Sequence, residues 1–182
     1  VNPDQYWGYL METEVVNTIA VDGADRKWIG TNNGVWLMSS DGTKTISYFT
    51  KDNSPLLSDN IIDIEVDHET GEVYIGTDEG MISYKGTATA GGDKHLNVYV
   101  YPNPVKEDYE GIIAIKGLVK DAYIKITDIS GNLIYQTQAL GGQAVWDGKN
   151  YNGEKAKTGV YIVFSTNSDG SETHITKFLV IN

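Results

Sequence analysis

WIGTNNGVW at residues 28–36 and YIGTDEGMI at residues 74–82 state one pattern twice, about 46 residues apart. The flanks repeat with it. Ile19-Ala20-Val21-Asp22 matches Ile64-Glu65-Val66-Asp67, with apolar residues at alternate positions, which is the period of a strand. A polar turn follows each: residues 23–27 in the first copy, residues 68–72 in the second. There Gly71 supplies a left-handed conformation. Trp28–Thr31 and Tyr74–Thr77 then read as strands. Asn32-Asn33-Gly34 and Asp78-Glu79-Gly80 close tight turns with glycine where a hairpin needs positive φ. Apolar residues resume at Val35-Trp36-Leu37 and Met81-Ile82-Ser83, and TISYFT at 45–50 adds a fourth strand to the first copy.

A four-stranded unit recurring at 40–50 residues is the sequence signature of a propeller blade. Glycine weakens a strand interior. Gly30 and Gly76 therefore read as positions where blades converge and side chains must be small. KDNSPLLSDN at 51–60 reads as the crossing from one blade to the next. About two blades are present where a closed propeller uses four to eight. The expectation is therefore the C-terminal part of a longer propeller, with QYWGYLMETE (5–14) as the tail of an earlier blade.

After GTATAGG at 86–92, which reads as a small, flexible linker, the pattern changes. Strands are predicted at 96–101, 112–115, 123–127, 133–137, 144–146, 160–165 and 175–181. Pro102-Asn103-Pro104, Ser130-Gly131-Asn132 and Ser168-Asp169-Gly170 punctuate them. Seven short strands in under 100 residues fit an immunoglobulin-like sandwich. The fold class is thus all-β: a partial propeller over residues 1–92, then an Ig-like sandwich over residues 93–182. With no cysteine in the chain, no disulfide can join the sheets, and Trp146 with Ile, Val and Tyr faces must supply the core.

Charge separates the two halves as well. Residues 1–92 hold 15 acids and 5 bases, a balance of −10; residues 93–182 hold 10 acids and 9 bases, a balance of −1. That excess of acid argues against nucleic acid as a partner, because phosphates are repelled. No stretch approaches the ~18 apolar residues of a membrane-spanning helix.

No catalytic constellation emerges, and no catalytic, cofactor-binding or metal-ligating residue is assigned. The absence of cysteine removes thiolate nucleophiles and thiolate metal sites. His68, His95 and His174 fall in a turn, the linker and the last strand. That scatter speaks against a shared metal site or a Ser-His-Asp triad. Asp147, Asn150, Asn152 and Glu154 form an oxygen-rich cluster that could suit calcium. It lacks EF-hand spacing, and Asx-turns account for it as well. Trp28, Trp36 and Trp146 each lie in an alternating strand and are expected to pack in cores rather than to stack on sugars.

Two family resemblances rest on these motifs. SDNIIDIEVD…GEVYIGTDEG, within residues 14–87, resembles the propeller repeat of Bacteroidetes hybrid two-component sensors and surface proteins. VYPNPV, IKITDISGNLIYQT, WDGKNYNGEKAKTGVYIVF and KFLVIN, spanning 96–182, resemble the C-terminal sorting domain of type IX secretion. The order of modules is similar to that of the PorZ-like family of propeller-bearing surface components. The resemblance implies a non-enzymatic protein outside the outer membrane or secreted, an accessory in surface delivery or anchoring. Its implied partners are secretion-machinery or surface proteins and surface glycan or lipopolysaccharide, and it implies no cofactor. Exported cargo carrying the domain as a label, and the ectodomain of a two-component sensor, are the alternatives.

Overall fold

The computed structural model describes residues 11–181, so residues 5–10 of the expected earlier-blade tail lie outside the described residues. Strands account for all the regular structure among the described residues. They fall in two compact units. One comprises residues as far as Val21, Arg26–Val66 and Val73–Tyr84; the other comprises Asp22–Asp25, Asp67–Glu72 and everything from Lys85 on.

In the first unit, β1 (Val16–Val21), β2 (Lys27–Thr31), β3 (Gly34–Met38) and β4 (Thr45–Phe49) form an antiparallel sheet in chain order. So do β5 (Ile61–Val66), β6 (Glu72–Thr77) and β7 (Gly80–Lys85). The two copies agree beyond strand order. Each inner strand is bulged at the same place: pairing skips from Val16 to Thr18 in one and from Ile61 to Asp63 in the other. Each hairpin is locked by the threonine three residues before its turn glycine. Thr31 Oγ1 donates to Gly34 O (3.0 Å) and accepts the Asn33 amide (3.0 Å). Thr77 Oγ1 donates to Gly80 O (2.8 Å) and accepts the Glu79 amide (3.2 Å). Gly34, Gly71 and Gly80 all take positive φ, at 124°, 76° and 136°.

Alternation sends Trp28, Val35 and Leu37 of the first sheet into one core with Ile61, Ile64 and Ile75 of the second. Asn17 Nδ2 donates to Ile61 O (2.7 Å) and Thr18 Oγ1 donates to Asp63 Oδ1 (2.9 Å), tying inner strand to inner strand.

The two strand glycines differ. A Cβ on Gly30 would sit 2.6 Å from Ile61 Cγ2 and 2.7 Å from Thr18 Cγ2, so close packing of the sheets requires glycine there. A Cβ on Gly76 would meet nothing nearer than Asp63 O at 3.6 Å. Among the described residues the packing reason holds for Gly30 and not for Gly76, because no second sheet of these residues lies over Gly76 as Ile61 lies over Gly30. Gly30→Ala should therefore cost about 1–3 kcal/mol through overpacking. Gly76→Ala should be neutral or stabilising by a few tenths of a kcal/mol, since glycine is a poor strand residue. Urea melts of the two variants, followed by Trp28 fluorescence, check this; equal losses would refute the distinction.

In the second unit, β8 (Tyr99–Tyr101), β10 (Ile113–Lys116) and β13 (Gln143–Trp146) make a three-stranded sheet in the order β13-β10-β8, with β9 being Val105–Lys106. The facing sheet has the order β12-β11-β14-β15-β9, with β11 Tyr123–Asp128, β12 Leu133–Gln138, β14 Gly159–Thr166 and β15 Thr173–Ile181. Ile113, Ile115, Ile124, Ile126, Val163 and Phe178 fill the space between them around Trp146. Tyr161, near the start of β14, donates its hydroxyl to Lys157 O (2.8 Å), the backward bond of a tyrosine corner.

Three details depart from the sequence reading. Among its described residues the sandwich has eight strands rather than seven, because the two-residue β9 pairs in parallel with Val180 and Ile181. Leu96 precedes its strand instead of opening it. Residues 86–92 do not behave as a loose tether within this unit: Gly86 N donates to Gly71 O (2.9 Å), Thr89 N to Leu140 O (3.3 Å), Ala90 N to His68 O (2.7 Å), and Lys120 N to Gly92 O (2.9 Å). The small side chains serve close backbone approach; a Cβ on Gly91 would lie 2.6 Å from Lys120 Cα.

Candidate functional site

An accessible feature of the second unit is the outer face of its five-stranded sheet. Register places Lys125 beside Phe164 and Phe164 beside Ile175, with Tyr123 beside Thr166 in the neighbouring rung. Tyr123, Phe164 and Ile175 are all exposed, Ile175 to 63%. Alternation dictates this: with Ile124, Ile126, Val163 and Phe178 turned inward, their neighbours must face out. β15 also carries an open edge. β9 pairs only with its last two residues, and Asn103 Oδ1 accepts the Leu179 amide (3.0 Å). Among the described residues no strand covers the outer edge of residues 173–178. An apolar row beside an unpaired edge is the geometry that receives an added strand from another chain.

The histidines are arranged differently from the sequence reading. His68 stays exposed in its turn, but His95 and His174 meet, with ring centroids 5.8 Å apart. The hairpin of β14 and β15 places His174 opposite Ser165, and residues 92–98 run past that end of the sandwich. His95 Nδ1 accepts the Val119 amide (3.1 Å), and its Nε2 lies 3.3 Å from Ser165 Oγ. An amide donor on Nδ1 leaves the ring proton on Nε2, which then donates to the serine. A general base for that serine needs the opposite tautomer. Ser165 is also buried. Burial, and after it the neighbouring His174, hold His95 below the ordinary histidine value, with Glu172 acting in the other direction. The imidazole is a tie between the turn after β10 and β14.

The acid-rich loop is occupied with its own backbone. Asp147 Oδ1 accepts the Lys149 amide (3.0 Å); Asn150 Oδ1 accepts the amides of Asn152 (2.9 Å) and Glu154 (3.0 Å); and Asn150 Nδ2 donates to Glu154 Oε2 (2.8 Å). Among the described residues no group of three or more His, Asp or Glu side chains is placed to hold a metal ion. The loop braces a core residue, since Trp146 Nε1 donates to Lys149 O (2.7 Å).

Trp28 and Trp146 are core residues, buried completely or nearly so. Trp36 is a correction. It is half-buried on the face opposite Trp28 and stacks on Tyr48 with centroids 4.0 Å apart. Alternation requires this, because Trp28 pairs with Leu37 and the adjacent Trp36 must point the other way.

Residues 99–182 match the family model described as a secretion system C-terminal sorting domain. Among solved structures, the chain is similar to PorZ, described as an essential bacterial surface component of the type-IX secretion system of Porphyromonas gingivalis. Identity is 34% and the TM-score 0.64, covering 96% of this chain and 24% of that one. The chain thus spans about a quarter of the length of that structure. The extracellular domain of a hybrid two-component system of B. thetaiotaomicron aligns more loosely: 11% identity and TM-score 0.34, over 100% of this chain and 28% of that one. No curated protein matches the chain.

Proposed function

We propose that this chain is a non-enzymatic accessory of type IX secretion, extracellular or at the cell surface and acting in surface delivery or anchoring; the match of residues 99–182 to a secretion system C-terminal sorting domain and the likeness to PorZ support this reading. The observation that carries this reading is the extent of the likeness to PorZ, which runs through both modules over 96% of the chain. A label on unrelated cargo requires likeness in the sorting domain alone. In this reading residues 1–92 are propeller blades and residues 93–182 the docking domain. The exposed row of Tyr123, Phe164 and Ile175, with the open edge of β15, meets secretion-machinery or surface proteins. Surface glycan or lipopolysaccharide is the further partner of the assembly.

Accessory and cargo differ in what their loss does to other proteins. Deleting the gene should leave unrelated proteins with the same kind of sorting domain stranded inside the outer membrane. Surface proteolysis and fractionation of those proteins measure the effect. If only this chain's own product disappears from the surface while the rest arrive normally, the protein is cargo.

A further inference from the structure

The segment leading into the sorting domain, residues 92–98, forms no strand of its own. It is held to the turn after β10 by three hydrogen bonds. Lys120 N donates to Gly92 O (2.9 Å), Leu96 N to Gly117 O (2.8 Å), and Val119 N to His95 Nδ1 (3.1 Å). Two are backbone pairs indifferent to pH. The third ends on a group that titrates near neutrality. We propose that His95 is a pH-sensitive latch, holding residues 92–98 across the end of the sandwich while neutral and releasing them when protonated.

The chemistry follows from the two ring nitrogens. In the docked state Nδ1 offers a lone pair to the Val119 amide, and Nε2 faces Ser165 on β14. Protonation puts hydrogen on Nδ1, so two donors face each other where donor met acceptor. It also sets a positive charge 5.8 Å, centroid to centroid, from the His174 ring. The groups acting on His95 are His174 on β15 and Glu172 just before that strand. Glu172 favours the imidazolium; burial and His174 outweigh it, so the docked ring binds its proton less readily than a free one.

The direction of the pH effect is then determined. With the docked value depressed below 6.5, both states are neutral well above 6.5 and docking there is at full strength. As pH falls below 6.5 the released segment takes up the proton first, so docking weakens progressively. It stops weakening once the docked ring is protonated too. The leading segment of the sorting domain is therefore docked at neutral pH and loosened in acid.

Amide exchange on the full chain reads this directly. Corrected for intrinsic rates, protection of the Val119 and Leu96 amides should be partly lost between about pH 7.5 and pH 5, in step with the proton uptake of the released segment. Amides of β11 should hold. His95→Gln keeps an acceptor for Val119 and cannot titrate, so protection should become flat with pH. His174→Ala removes the repelling ring, brings the docked value closer to the free one and should make the acid loss smaller. Flat protection in the native chain, or a pH dependence that survives His95→Gln, overturns the latch.

Discussion

Trp146→Ala is expected to destabilise the sandwich by about 4–5 kcal/mol, the upper part of the range for removing a buried tryptophan. Trp146 is 1% exposed at the centre of the core. Its ring lies 5.9 Å from Phe178, 6.0 Å from Tyr161 and 6.2 Å from Tyr135, centroid to centroid. Its indole N–H also organises the 147–154 loop through Lys149 O. In many immunoglobulin domains such a tryptophan packs on an inter-sheet disulfide. This chain has no cysteine, so the aromatic cluster carries what a covalent bond would otherwise share. A domain of this size is stable by about 5–15 kcal/mol, so the loss removes a large part of the whole. Trp146→Phe keeps most of the packing and loses the hydrogen bond, and should cost about 1–2 kcal/mol. Urea unfolding of the full chain followed by circular dichroism measures both. A loss under about 1 kcal/mol for Trp146→Ala would mean that the cluster is not the core's anchor.

Some of this was legible in the sequence for a physical reason. Period-2 alternation and glycine turns are local signals, and two copies in register made the blades readable down to Thr31 and Thr77. The sandwich was readable strand by strand, except β9. Two residues show no alternation, and β9 exists because Val180 and Ile181 lie beside it in space. The same limit hid the His95–His174 pair: 79 positions separate them, and the β14–β15 hairpin and the docked linker bring them together. Trp36 was misassigned because alternation says which residues share a face and not which face is covered. Gly30 and Gly76 occupy equivalent positions in the motif, yet among the described residues only Gly30 has a neighbouring sheet over it. The exposed row on β11, β14 and β15 had a signal: Tyr123, Phe164 and Ile175 alternate with the inward residues. Which alternate set faces water is decided by the opposite sheet.

Gly117→Ala should be among the most damaging single-methyl changes in the sandwich, and Gly131→Ala a mild one, although both glycines have positive φ, 76° and 86°. The backbone argument alone makes them equal, since a left-handed conformation costs an alanine about 1–2 kcal/mol at either site. Their surroundings separate them. Gly131 sits in the exposed turn between β11 and β12, and a Cβ there meets nothing within 4 Å. A Cβ on Gly117 would sit 2.2 Å from Leu96 O and 3.0 Å from Asn97 O, main-chain atoms that no rotamer change can move aside. Residues 96–97 must lift away, which breaks the Leu96 N–Gly117 O bond and draws His95 off Val119. Overpacking adds about 1–3 kcal/mol to the conformational cost, giving roughly 2–5 kcal/mol for Gly117→Ala against about 1–2 kcal/mol for Gly131→Ala. Chemical denaturation of the two variants gives the difference, and amide exchange at Val119 gives its location. Protection there should be lost already at neutral pH in Gly117→Ala and be retained in Gly131→Ala. Equal stabilities, or an unchanged Val119 amide in Gly117→Ala, would show that residues 92–98 do not press on this turn, and the His95 latch would lose its seat.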